Sequence, residues 1–458
     1  MKQLGIVLVA FALVVAFALP VANLIAGRPQ SAGLVRKAAD DARVKAVAQV
    51  LEAKCVNCHT KDPELPFYVR LPIIKALISR DTEMALRDFD LMVDLFPSQK
   101  GPAAEPALAK IEYALQTGSM PPKRYLALHW NDRLSDAERA TLVSWIQETR
   151  TVHYAPVGFP PEVRTAAVHP LPSVVEVDAR KADLGRRLYH DPRLSGDNTV
   201  SCASCHALDK GGTDNAKVST GIRGQAGGIN APTTFNALFQ SRHFWDGRAA
   251  TLEEQAGGPP LNPVEMGSSW PEIVGKLQAD ESLAAEFREV YSEALSQQTI
   301  TDAIAAFERT LVTPNAPFDR FLLGQATLSP QERRGWDLFR QHGCQTCHVG
   351  KLLGGQSFEI MGLRADYFKD RGGPITAADN GRFNVTKNDR DRHKLKVPTL
   401  RNVAKTAPYF HDASAPDLPA AVRSMARYQV GVDLAEADVA AIVKFLETLT
   451  GTYQGKPL

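Results

Sequence analysis

Apolar positions recur at helical spacing along most of the chain, and alternating strand patterns are scarce. Val44, Val47 and Leu51 fall three to four residues apart and lead directly into Cys55. Ser329-Pro330-Gln331-Glu332 predicts a capping box with proline at the first helical position, then Leu338 and Phe339, then Cys344. Leu184 and Leu188 share one helical face. A turn-rich stretch (His190-Asp191-Pro192, Ser195-Gly196-Asp197-Asn198) carries the chain from there to Cys202. Ser135-Asp136-Ala137-Glu138 is a second capping box, opening a helix with Leu142, Trp145 and Ile146 on its apolar side. Val439, Ile442, Val443 and Leu446 make a closing stripe near the C-terminus. The fold class expected from these patterns is mainly α.

Two stretches break the periodicity. Leu4 to Gly27 is an uncharged apolar run interrupted only by Pro20 and Asn23, long enough to span a bilayer. A cleaved signal peptide is the rival reading, and Ala16-Phe17-Ala18 resembles a small-x-small cleavage site. The run is long for a signal peptide and is followed by Arg28, Arg36 and Lys37, which favours an uncleaved anchor. The segment from His153 to Pro172 carries Pro156, Pro160, Pro161, Pro170 and Pro172 and reads as a semi-rigid linker.

The candidate chemistry lies in the cysteines. All six fall in three Cys-x-x-Cys-His segments: Cys55-Val-Asn-Cys58-His59, Cys202-Ala-Ser-Cys205-His206 and Cys344-Gln-Thr-Cys347-His348. This is the spacing of c-type haem attachment, in which two thiols bond one haem and the following imidazole reaches its iron. Disulfides do not require a His after every pair, and zinc sites need a second Cys or His pair nearby. Domain-sized stretches separate the three segments in a chain of 458 residues. A helix before each attachment segment and a helix closing the first and third units describe the class I cytochrome c fold. Haem attachment of this kind takes place outside the cytoplasmic membrane, so either reading of the N-terminus places the bulk of the chain in a bacterial periplasm. Composition is ordinary, with 44% hydrophobic and 23% charged residues, and a net charge of +2 gives no footprint for nucleic acid.

The architecture expected is therefore three cytochrome c-like haem domains in tandem after an N-terminal transmembrane helix. Residues 1–30 form the anchor, 31–165 a haem domain where electrons enter, 166–325 a middle haem domain and 326–458 an electron-transfer haem domain. The expected location is the bacterial inner membrane, single-pass, with the haem domains in the periplasm.

The sixth ligand of each iron separates electron transfer from catalysis. In the first unit Met120, in Gly118-Ser119-Met120-Pro121-Pro122, is the candidate, with Met84, Met92 and His129 as competitors. In the third unit spacing alone does not choose between Met361 and Met425. The middle unit has no Met between His206 and Met266. His243 there precedes Phe244-Trp245-Asp246-Gly247-Arg248, which reads as a packed turn, so the middle haem is the candidate open site.

Three further runs carry a resemblance: the Phe-Trp-Asp-Gly-Arg run at Trp245, the run from Gln255 to Met266, and Lys396-Val-Pro-Thr-Leu-Arg-Asn through Tyr409-Phe410-His411. Over residues 170–458 the chain resembles the bacterial dihaem cytochrome c peroxidases. With the N-terminal haem domain and anchor it is most similar to the membrane-bound trihaem quinol peroxidase branch. The resemblance implies a peroxidatic middle haem with His206 proximal, and a third haem held by His348 and Met425. It implies Gln255 and Glu265 as the distal-pocket pair, Trp245 between the two haems, and calcium at Asn230, Thr406 and Pro408. The implied cofactors are three covalently bound haem c and Ca2+.

One position departs from the family pattern. Where many members carry a His that blocks the peroxidatic iron at rest, Ser219-Thr-Gly-Ile222-Arg-Gly-Gln carries Ile222, which cannot ligate iron. The expected reaction is two-electron reduction of hydrogen peroxide to water. The donor is a membrane quinol or a periplasmic electron-donor protein such as a soluble cytochrome or cupredoxin, and a homodimer is compatible with the family. A protein-modifying dihaem oxidase of the same fold is the rival enzyme class. In such oxidases a Tyr replaces the Met of the third haem, so Met425 argues against it.

Overall fold

The computed structural model describes residues 41–61, 72–96, 101–127, 129–155 and 158–458, with 17–18, 21 and 33–34 before them. They belong to two compact units, Met1–Ala155 with Arg164–Ala166, and Pro156–Val163 with Ala167–Leu458. Both are mainly helical.

In the first unit the principal helices are α1 (Ala42–Lys54), α2 (Glu105–Thr117) and α3 (Asp136–His153). Asp41 caps α1 by accepting the Arg43 N–H at 2.8 Å. The helix ends at Cys55, whose N–H bonds the Leu51 carbonyl. The Ser135–Glu138 capping box opens α3 as its sequence requires. Val47 and Leu51 of α1, Leu108 of α2, and Leu142 and Ile146 of α3 close one core. The fully buried Arg150 ties α3 to α2, through Nε to Glu105 at 2.8 Å and Nη1 to Glu112 at 2.7 Å.

The second unit contains α4 (Ala179–Tyr189), α5 (Leu252–Ala256), α6 (Gln297–Thr310), α7 (Pro330–Gln341), α8 (Leu418–Met425) and α9 (Glu436–Glu447). Strands are few among the described residues. Phe358–Ile360 pairs antiparallel with Lys394–Lys396, and Thr452–Tyr453 with Lys456–Pro457.

This unit is built twice from one plan. Gly185 of α4 lies against Ala303 and Phe307 of α6, and Gly335 of α7 lies in the same way against Ala441 and Phe445 of α9. Asn236 and Asn402 both sit in left-handed backbone. Their side chains donate to the single hydroxyl of Thr313, at 2.8 and 2.9 Å. Asn236 Oδ1 accepts Thr313 N–H, and Asn402 Oδ1 accepts Gly451 N–H. The turns His243–Ala249 and Tyr409–Ala415 close with equivalent bridges, and Phe244 and Phe410 both have positive φ. Trp245 and His411 thus occupy equivalent places in the two halves.

No helix among the described residues is long and apolar enough to cross a membrane. The expected single-pass placement in the inner membrane is corrected accordingly. The described helices are amphipathic: the longest, α3, carries Asp136, Glu138, Arg139, Glu148 and Arg150. The apolar run 4–27 lies outside the described residues except Phe17, Ala18 and Val21.

The two glycine crossings generate a stability prediction. A Cβ at Gly185 would lie 1.8 Å from the Ala303 carbonyl oxygen, and one at Gly335 2.0 Å from that of Ala441. Gly185→Ala and Gly335→Ala should each cost about 1–3 kcal/mol or more, because the helices must separate. Chemical denaturation of the holoprotein reads this directly. Unchanged midpoints would mean that the crossings tolerate an extra methyl group.

Candidate active site

Each of the three Cys-x-x-Cys-His segments runs through a short helical turn, Val56–His59, Cys202–Cys205 and Cys344–Thr346. None of the six cysteines is in a disulfide. Each His is fixed in the same way. His59 Nδ1 lies 2.9 Å from the Phe89 carbonyl oxygen, His206 Nδ1 3.3 Å from that of Gly212, and His348 Nδ1 2.8 Å from that of Leu353. A carbonyl can only accept, so the proton sits on Nδ1 and the Nε2 lone pair is left for a metal. Burial lowers all three imidazole pKa values, that of His348 to about 4, which keeps the rings neutral. This donor set fits covalent haem with an axial imidazole at each segment.

Met120 is 43% exposed. Its competitor His129 stacks on Tyr125 with ring centroids 4.0 Å apart and has Nδ1 against the Tyr125 carbonyl. Met361 and Met425 lie in one cluster with Tyr367, Phe368 and Trp245. The Met361 sulfur accepts a bond from Gln429 at 3.6 Å. His243 is buried in its turn, and burial lowers its pKa to about 4.

In the middle half Glu265 is half-buried, and burial raises its carboxyl pKa, while Arg248 and a bond from Asn262 oppose the shift. The Asn262 amide donates to Glu265 Oε1 at 2.9 Å. Burial raises the Cys205 thiol pKa, a bond with Ser219 opposes the rise, and the Asp214 and Glu265 carboxylates add lesser rises. Gln255 lies on α5, partly exposed. Ile222 is 2% exposed, in a core with Leu194, Val200 and Met266. Its N–H donates to the Glu265 carbonyl at 2.9 Å, so the loop is pinned to the Glu265 turn.

Trp245 Nε1 donates to the Asn230 carbonyl at 2.9 Å, and the Trp245 carbonyl accepts Lys396 N–H at 2.8 Å. Asn230 N–H donates to the His411 carbonyl at 2.9 Å. Asn215 donates to the carbonyls of Lys405 and Ala407, at 2.9 and 3.1 Å. These bonds bring Asn230 to the turn holding Thr406 and Pro408, and leave the carbonyls of those two residues for another partner. Asparagine and carbonyl oxygens are a donor set that suits calcium. A separate cluster of Asp379, His411 and Asp412 has metal-like proximity. There Arg371 Nη1 bonds Asp379 at 2.7 Å and Asp412 at 3.0 Å, so a guanidinium already supplies the positive charge.

Known proteins match this arrangement. Residues 179–327 match the family model "Di-haem cytochrome c peroxidase", and 23–148 match "Haem-binding domain". Cytochrome c peroxidase of Escherichia coli (strain K12) is 50% identical over 412 residues, covering 89% of this chain and 88% of the relative. The chain belongs to the di-haem cytochrome c peroxidase family. The cytochrome c551 peroxidase of Nitrosomonas europaea is 45% identical over 287 residues, covering 62% of this chain and 84% of that protein. A solved MauG-like protein associated with microbial copper homeostasis shares the fold. It aligns with TM-score 0.56 and 31% identity over 65% of this chain and 94% of that one. The chain is a haem peroxidase with covalently attached haem.

Asn262, Arg248 and His411 lie inside the runs that carry the resemblance, but no individual role was legible for them, and Asp379 left no local signal.

The raised pKa of Glu265 gives a pH prediction. If Glu265 is the base, it works only when ionised, and turnover should fall as pH drops through a value above the usual carboxylate range. Removing the Asn262 donor destabilises the charged form, so Asn262→Ala should move this acid limb to higher pH. Glu265→Gln should lower turnover by about 10²–10⁴-fold. An acid limb that Asn262→Ala leaves in place would detach Glu265 from the pH profile.

Proposed function

We propose that the chain reduces hydrogen peroxide to water at the middle haem site, with electrons entering at the N-terminal haem and passing through the third. Three haems are held in this reading, through Cys55, Cys58 and His59, Cys202, Cys205 and His206, and Cys344, Cys347 and His348. Bound haem supplies redox-active iron. Met120 and Met425 serve as the sixth ligands of the first and third sites. Glu265 takes the proton from one peroxide oxygen and delivers it to the other. The Gln255 amide orients the bound peroxide, and Trp245 lies on the electron path. The observation that carries the reading is Glu265. It is a half-buried carboxyl oriented by Asn262, with the Ile222 loop bonded to its backbone.

Residues 31–165, 166–325 and 326–458 are then the three haem domains. Quinol is the donor inferred from the family resemblance. Purified holoprotein should consume peroxide with a hydroquinone as reductant. Oxidation of a reduced soluble cytochrome c in its place would remove the quinol assignment and keep the peroxidase. No peroxide consumption with any reductant would remove both.

Calcium at Asn230, Thr406 and Pro408 would hold the two halves of the second unit in register, since these residues lie on loops from both. Exhaustive chelation should lower peroxide turnover reversibly and leave every haem attached. Full activity with no metal detected by elemental analysis would eliminate this site.

A further inference from the structure

The internal duplication puts His411 where the other half has Trp245, and the two rings meet. Their centroids are 6.2 Å apart at an interplanar angle of 66°, an edge-to-face contact. The two turns are also joined through the backbone by Asn230, which accepts from the Trp245 indole and donates to the His411 carbonyl.

His411 is fully buried and its ring is held from behind. His411 Nε2 lies 2.8 Å from Asp379 Oδ1. Asp379 accepts two bonds from Arg371, at 2.7 and 3.0 Å, and two from Thr376, N–H at 2.7 Å and hydroxyl at 3.0 Å. Those bonds hold its carboxyl well below the usual carboxylate range, against the opposing effect of burial. Phe368 meets the His411 ring edge-on, also at 6.2 Å. The imidazole therefore has one orientation, set by a carboxylate that is itself fixed by five bonds when His411 is included. A fixed anionic anchor, an oriented imidazole and an indole in edge contact form one rigid stack. It ends in the cluster that holds Met361 and Met425.

We propose that His411 is a positioning residue for electron transfer, orienting the Trp245 indole between the third and middle haem sites, with Asp379 fixing His411. This rests on the reading of Trp245 as part of the electron path. Exposed or loosely packed rings do not hold such a geometry. Asp379–His411 supplies it from the half of the unit that does not contain Trp245.

The test is interhaem electron transfer in the oxidised holoprotein. One haem is reduced by a light flash, and redistribution is followed in the haem absorption bands, alongside haem content and midpoint potentials. Trp245→Phe should slow redistribution. His411→Ala, which removes the ring, should slow it by about ten- to a hundredfold, the scale expected of a small misplacement. Asp379→Asn should slow it less. His411→Phe restores a ring in edge contact and should recover most of the rate, with potentials unchanged throughout. It also serves where His411→Ala loses haem or fails to fold.

If Trp245→Phe slows transfer while both His411 variants transfer at the parent rate, the positioning role is overturned and the Trp245 route stands. If Trp245→Phe itself has no effect, the Trp245 route falls, and the positioning role with it. A shift in potential that accounts for the slower rate would also overturn it, since His411 would then act on driving force.

Discussion

Each Cys-x-x-Cys-His segment depends on one bond, from an imidazole Nδ1–H to a backbone carbonyl. The acceptors, Phe89, Gly212 and Leu353, all lie beyond the attachment segment in sequence. Each ring is therefore oriented by the fold, and the covalent links alone do not set it. The bond fixes the tautomer, burial keeps the ring neutral, and the Nε2 lone pair is left for an iron. In the second unit the two crossings of α4 on α6 and α7 on α9 support these sites. Each is closed by a glycine at the point of contact.

The duplicated unit is asymmetric at its matching turns. Equivalent turns carry Trp245 in one half and His411 in the other, and only His411 has a buried carboxylate behind it. The middle half also has the Glu265 turn, with its carboxyl bonded by Asn262 and its carbonyl by Ile222. A single N–H bond from the Ile222 loop is worth about 0.5–1.5 kcal/mol. Burial of the isoleucine side chain adds about 1.5–3 kcal/mol. Together they hold this loop in the core, and isoleucine offers no atom that can ligate iron.

Much of this was legible in sequence because it is local. The capping boxes at Ser135 and Ser329, the helix running into Cys55, and the buried stripes Leu142–Ile146 and Val439–Leu446 are short-range patterns, and each forms as read. The attachment segments are local as well. The two attachment segments make two cytochrome c-like halves legible in this unit, but not their matching turns, in which only scattered side chains recur, among them Pro232 and Pro398, Asn236 and Asn402, Phe244 and Phe410, Asp246 and Asp412. What they share most is backbone, left-handed at Asn and at Phe, and that leaves little trace in composition. The Asp379–His411 contact joins residues 32 apart and has no periodic signature. Met361 and Met425 could not be ranked by spacing, and both lie in the same aromatic cluster. The apolar run at 4–27 was read by hydropathy alone, and no described helix spans a membrane.

In the proposed reaction the middle haem site is set apart for peroxide, because the position where the family resemblance implies a blocking His carries the buried Ile222, which cannot ligate iron. Electron paramagnetic resonance of the fully oxidised holoprotein tests it most directly, because a sixth protein ligand from His or Met makes a ferric haem low-spin. An open middle site gives one high-spin haem alongside two low-spin haems, with the high-spin signal lost when Cys202 and Cys205 are replaced. Three low-spin haems in the oxidised protein, with a high-spin signal appearing only after partial reduction, would contradict it.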